Sequence, residues 1–129
     1  ESITIRRVGT GEYAAFLNEA REKKHDLLVL HYYDGENLCT RICADRTARR
    51  LAIENKTADV LSTAFGVDQN PNWEDLAAFL ESRCIPRQRD GLQHYLTRLG
   101  LERYDPLEII RKTEGRMAED DCWIKIVEG

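Results

Sequence analysis

The chemistry open to this chain begins with Arg83, Arg87 and Arg89, which flank Pro86 where two helix-like segments meet. A guanidinium presents its donors in a fixed fork that matches carboxylates and phosphates. A corner between helices turns such groups outward, and the first turn of the second helix adds free backbone N–H donors. Between positions 83 and 116, eight basic residues stand against five acidic ones, in a chain whose net charge is −4. One reading is a cationic face that holds a phosphate, a carboxylate or an acidic partner. The other is structural: Arg83 and Arg87 pair with Glu81, Asp90 or the run Glu119-Asp120-Asp121. Exposed ion pairs add little stability, which leaves several arginines at one corner poorly explained by pairing alone.

The other candidate groups are less specific. Paired carboxylates at 119–121 could bind a divalent cation or exchange protons. However, neither the spaced oxygen ligands of a calcium loop nor a phosphate-binding element accompanies them. Cys39 and Cys43 fall on one face of an expected strand, about 13 Å apart at strand rise. Together with Cys84, Cys122 and His25, His31 or His94 they lack zinc-knuckle spacing. No spacing sets a Cys or Ser beside a His as an activated nucleophile. Val8-Gly9-Thr10-Gly11 is too short for a phosphate loop and reads as a strand-to-helix turn. Residues 57–99 offer three short helices in the manner of a helix-turn-helix, but the third carries few base-reading side chains beyond Gln88, Arg89 and Gln93. Tyr32, Tyr33 and Tyr104 suit an interface or a core edge equally. No catalytic residue, metal or cofactor is assigned.

The elements that must position these groups follow from periodicity. Ser2 to Val8 suits a short strand. Thr10 is a candidate cap for a helix whose apolar stripe is Tyr13, Phe16, Leu17 and Ala20. Residues 27–44 read as a hairpin about Asp34-Gly35-Glu36-Asn37, and residues 49–55 as a third consecutive strand. From Thr57 the period changes: Val60, Leu61, Ala64 and Phe65 predict a short helix stopped by Gly66. Asn72 caps a helix through Trp73, Leu76, Phe79 and Leu80, which Ile85-Pro86 breaks. Leu92, Tyr95, Leu96 and Leu99 give another, closed by Gly100. Asp105-Pro106 opens a fourth, ended at Gly115. Cys122, Ile124 and Ile126 alternate in a final strand, which either joins the sheet or pairs locally over the helices.

The expected fold is therefore α+β, a single domain over residues 1–129. A small antiparallel sheet, formed by an N-terminal strand and a three-stranded meander, packs with an N-terminal helix. A C-terminal block of three to four short helices and a final strand complete it. With 129 residues, 42% apolar and 33% charged, the chain can build a core and is not of disordered composition. The acidic balance argues against nucleic-acid binding by bulk charge, although a local basic patch remains open. No apolar run reaches membrane length and no leader-like segment opens the sequence, so a cytoplasmic protein with reduced cysteines is expected.

One stretch carries a resemblance. Phe79-Leu80-Glu81-x-Arg83-x-x-Pro86-x-x-Arg89, a helix ending Leu99-Gly100, Tyr104-Asp105-Pro106, and Gly115 followed by Asp121-x-Trp123-Ile124 together span roughly residues 73–126. This resembles the N-terminal accessory region of HipA-like bacterial kinases and a segment of small mobile-element proteins. The resemblance implies a regulatory or accessory module rather than a kinase, since the chain lacks a kinase's length and catalytic set. It also implies that Arg83, Pro86, Arg89, Asp121 and Trp123 act as a unit. The expectation is a non-enzymatic protein-interaction module of a bacterial toxin–antitoxin or defence system, binding through Arg83, Arg87, Arg89, Arg116, Asp121 and Trp123. The alternative is an anti-CRISPR-like mobile-element inhibitor of a nucleic-acid machine, or a direct nucleic-acid binder.

Overall fold

The computed structural model describes residues 10–129, with side chains from residue 12 onward. The strand expected at Ser2–Val8 and the capping side chain of Thr10 lie outside the described residues. Helix α1 spans Thr10–Glu22, and strands β1 (Leu27–Asp34), β2 (Asn37–Asp45) and β3 (Arg50–Asn55) form the meander. Helices α2 (Trp73–Ser82), α3 (Leu92–Arg98) and α4 (Pro106–Thr113) follow, and β4 (Cys122–Glu128) closes the chain. The final strand joins the sheet: the order is β3-β2-β1-β4, antiparallel throughout. The fold is α+β. No helix among the described residues is long and apolar enough to cross a membrane.

Strand alternation sends side chains to two faces. On one face Leu28, Leu30, Ile42, Ala44, Ile53 and Ile124 meet Leu76, Phe79 and Leu80 of α2, Leu96 of α3, and Ile109 and Ile110 of α4. On the other, Leu27, Val29 and Cys43 meet Tyr13 and Ala20 of α1, with Phe16 and Leu17 alongside. His25 and the buried Asp45 tie the end of α1 to the β2–β3 turn, Nδ1 to Oδ2 at 2.6 Å. The other Asp45 carboxylate oxygen accepts the N–H groups of Thr47 and Ala48.

Two expectations are corrected. Cys39 and Cys43 do not share a face. Tyr32 pairs with Thr40 but Tyr33 with Leu38, so Cys39 is the extra residue of a bulge that shifts the alternation. Cys39 packs with the three-helix core and Cys43 under α1. The helix expected from Thr57 to Gly66 is only a 3₁₀ turn at Val60–Ser62. Here side chains compete with the helical ladder. Asp59 accepts from the Leu61 N–H and the Ser62 hydroxyl, the Thr63 hydroxyl bonds Val60 O, and the Ala64 N–H bonds Thr40 on β2. Of the apolar side chains behind that expectation, Val60 and Leu61 point outward, Leu61 at 92% exposure, while Ala64 and Phe65 pack against the core.

The other helices begin and end on local chemistry. Asn72 and Asp75 form a reciprocal capping box at α2. The carboxylate of Asp105 caps α4 ahead of Pro106. Helix α3 begins at Leu92, the first residue of its apolar stripe, after Gly91 takes a left-handed φ of +74°, so Gln88 and Arg89 precede the helix rather than projecting from it.

Candidate functional site

The corner at Pro86 forms because α2 cannot continue through it, and Arg83 is the residue at its C-cap. The structure does not turn Arg83 outward. It is 7% exposed, and its guanidinium makes four hydrogen bonds that brace the lead-in to β4. Nε donates to Gly115 O at 3.0 Å, Nη1 to Asp120 Oδ2 at 3.0 Å, and Nη2 to both Asp120 Oδ1 at 3.0 Å and Cys122 O at 2.9 Å. Asp120 Oδ1 also accepts the Cys122 N–H at 3.0 Å. The hydrogen bond from Arg83 holds the Asp120 carboxyl below its ordinary range, outweighing partial burial, while the same bond raises Arg83.

This brace also covers the start of a sheet edge. Strand β4 is at the margin, where unpaired backbone groups invite pairing with another chain. The N–H and C=O of Cys122 are taken by Asp120 and Arg83, and the N–H of Ile124 by Glu114 O at 2.7 Å. Gly115 permits the close approach: a Cβ there would lie 3.3 Å from Arg83 Cβ and 3.4 Å from Ile124 Cδ1, at a φ of +65°.

The remaining arginines divide. Arg87 binds Glu81 through Nε and Nη2 at 3.0 and 3.3 Å, and lies 4.2 Å above the ring centroid of Tyr104. The Tyr104 hydroxyl in turn donates to Ile85 O at 2.6 Å, fixing the corner. Arg116 pairs with Glu114 at 2.8 Å and lies 4.7 Å over Trp123. Trp123 stacks on its cross-strand partner Tyr33, centroids 4.6 Å apart and planes at 12°, and its Nε1 donates to Gly35 O. Asp121 contributes its carbonyl to the Gly35 N–H, and its side chain is exposed. Arg89 is exposed and its side chain has no hydrogen bond or ion pair among the described residues.

The sequence-derived set is therefore not one cluster. Arg83, Arg89 and Arg116 line a groove of about 270 Å³ between the Pro86 corner, α3, α4 and the turn before β4. Ile85 and Ile109 are buried beneath it, and Tyr95 and Met117 also line it, with Glu119 on its exposed side. Arg87 faces Glu81 and Tyr104 outside this groove, while Trp123 and Asp121 line a neighbouring recess with Gly35 and Arg116. The structural alternative, in which Arg83 pairs within the run Glu119-Asp120-Asp121, is what is found, through Asp120, although the candidate site set took Asp121 one residue on. Sequence reading missed Tyr95 and Met117. Tyr95 was visible as a helical apolar position, but nothing in the spacing of Met117 assigns it to the groove.

The thiol in the groove is not an activated nucleophile. Cys84 lines the groove, but burial pushes its thiol up to about 12, and its Sγ–H is directed at Leu80 O and Pro106 O. A thiol held protonated in this way is a poor nucleophile. Among the described residues no three His, Cys, Asp or Glu side chains group so as to hold a metal ion. Comparison with known protein families, curated proteins and solved structures finds no match to this chain.

Proposed function

We propose that this protein is a non-enzymatic, cytoplasmic protein-interaction module that docks its partner in the Arg89 groove. The observation that carries the reading is Arg89. Arg83, Arg87 and Arg116 each have a carboxylate within the chain, whereas Arg89 has none among the described residues and stands exposed beside an apolar floor. An apolar pocket with an unpaired guanidinium suits a partner segment that inserts one apolar side chain and sets a carboxylate beside it. Arg83 and Asp120 serve this site by holding the 115–122 segment in place. The resemblance to accessory regions of HipA-like kinases supports a regulatory role in a bacterial toxin–antitoxin or defence-related system.

The test is capture from a bacterial lysate, prepared without nuclease, on immobilised wild-type protein and on Arg89→Glu. The reading expects one stoichiometric protein on the wild type and its loss on the variant. Recovery of nucleic acid alone, with retention falling steeply as salt rises, contradicts it and favours a direct nucleic-acid binder.

A further inference from the structure

Of the four large apolar residues that stand exposed among the described residues, three fall in one short loop: Val60 at 39%, Leu61 at 92% and Val67 at 78%. The loop is not loose chain. The Asp59 carboxylate accepts the Leu61 N–H at 3.1 Å and the Ser62 hydroxyl at 3.0 Å. The buried Thr63 hydroxyl bonds both Val60 O and Gly66 O, and the Ala64 N–H is anchored to Thr40 on β2. The fold thus spends a set of side-chain hydrogen bonds on presenting a leucine to solvent. A preorganised anchor loses little conformational entropy on docking. Asp59 and Asp68 place negative charge at both ends of this apolar tip.

The Arg89 groove has the opposite charge balance: Arg83, Arg89 and Arg116 line it against the single carboxylate of Glu119, over a floor of Ile85 and Ile109, and Arg89 has no partner among the described residues. Turn and groove share no residue, so each copy of the chain carries one of each. We propose that the Leu61 turn of one copy docks in the Arg89 groove of a second copy, with Asp59 or Asp68 facing Arg89. This rests on the groove being a docking site, and it names a second copy of the chain as an occupant. The contact is heterologous, joining two different patches, so it propagates head to tail into a ring or an open chain rather than stopping as a symmetric dimer. One turn in one groove is a small interface, so association is weak and needs high concentration.

Sedimentation equilibrium over about 10 µM to 1 mM, which brackets association of this strength, tests it on wild type, Leu61→Glu, Arg89→Glu and an equimolar mixture of the two variants. Both positions are exposed, and circular dichroism checks that the variants fold. The expected result is a wild-type mass that rises with concentration, with each variant alone monomeric. The mixture forms a 1:1 dimer that grows no further, because one variant keeps its groove and the other its turn. A monomeric wild type, self-association by either variant, or a monomeric mixture overturns the proposal. Failure of the groove reading is separable: Arg89→Glu would then still capture the lysate partner. Failure of self-association alone would leave capture by Leu61→Glu and wild type equal, with both monomeric.

Discussion

Arg83 and Asp120, thirty-seven residues apart, meet through two parallel hydrogen bonds of 3.0 Å, with the guanidinium buried and the carboxylate partly in water. The pair joins the end of α2 to the turn before β4 and occupies the backbone groups of Cys122 at the sheet edge. Removing one partner strands the other's charge, which is more costly than losing the pair's net attraction. Because Asp120 is 41% exposed, solvent screens part of that penalty. Asp120→Ala is expected to cost about 2–3 kcal/mol in urea or guanidinium unfolding, whereas Asp121→Ala stays within about 0.5 kcal/mol. Equal effects at the two positions would contradict the assigned pairing.

Acid should loosen the same brace. The folded Asp120 carboxyl lies below its ordinary value of 3.8, so near that pH the unfolded chain binds more protons than the folded one. The contribution is therefore complete above the ordinary carboxylate range and is lost as pH falls through the folded value. Asp45 adds in the same direction. Burial pushes it up, but bonds from His25 and from the Ala48 and Thr47 N–H groups outweigh this and leave it lowered. Denaturant midpoints measured from pH 6 downward should drop through this window. Asp120→Asn, already deprived of the charge, should show a shallower drop.

Gly115 holds a left-handed φ with Arg83 and Ile124 packed against its α-carbon. Gly115→Ala is expected to destabilise by about 1–2 kcal/mol from the backbone conformation alone. Gly66→Ala, which shares the positive φ but has open space around it, should show the backbone cost without the added crowding. Thermal melts of the two variants separate these contributions.

The cysteines should report burial rather than function. Burial pushes the thiols of Cys43 and Cys84 up to about 11 and 12, and Cys39 is raised by the same cause. Alkylation at neutral pH followed by mass spectrometry should modify Cys122 first, since it alone is partly exposed. Rapid labelling of Cys84 in the folded protein would contradict a closed groove floor.

How much of this was legible in the sequence depends on the range of the interaction. Local signals worked well. The Asn72 capping box, the Asp105-Pro106 start and the turn at Gly35 are encoded within a few residues, and the helix stripe of Tyr13, Phe16, Leu17 and Ala20 packs as its spacing indicates. The last strand's alternation was readable, but its place beside β1 was not, because strand order depends on contacts nearly a hundred residues apart. The helix expected at Thr57–Gly66 failed because apolar spacing cannot reveal that Asp59 and Thr63 will take the backbone's hydrogen bonds. The Cys39 bulge likewise leaves no mark in an alternating pattern. At the corner, the sequence offered the pairing of Arg83 and Arg87 with nearby carboxylates as one of two readings but could not choose between them. Arg83 differs from Arg89 only in what folds over it, and that segment arrives from positions 115–122.

Arg89 has no partner among the described residues while Arg83, Arg87 and Arg116 are paired, and it is the contact through which we propose the partner is recognised. Quantitative capture with Arg89→Glu beside Arg98→Glu tests this most directly. Arg98 is another exposed arginine, on α3, that does not line the groove. Both variants should melt with wild type, within about 0.5 kcal/mol. Arg89→Glu is expected to lose the stoichiometric partner while Arg98→Glu retains it. Undiminished capture by Arg89→Glu, or equal loss with both variants, would contradict the account.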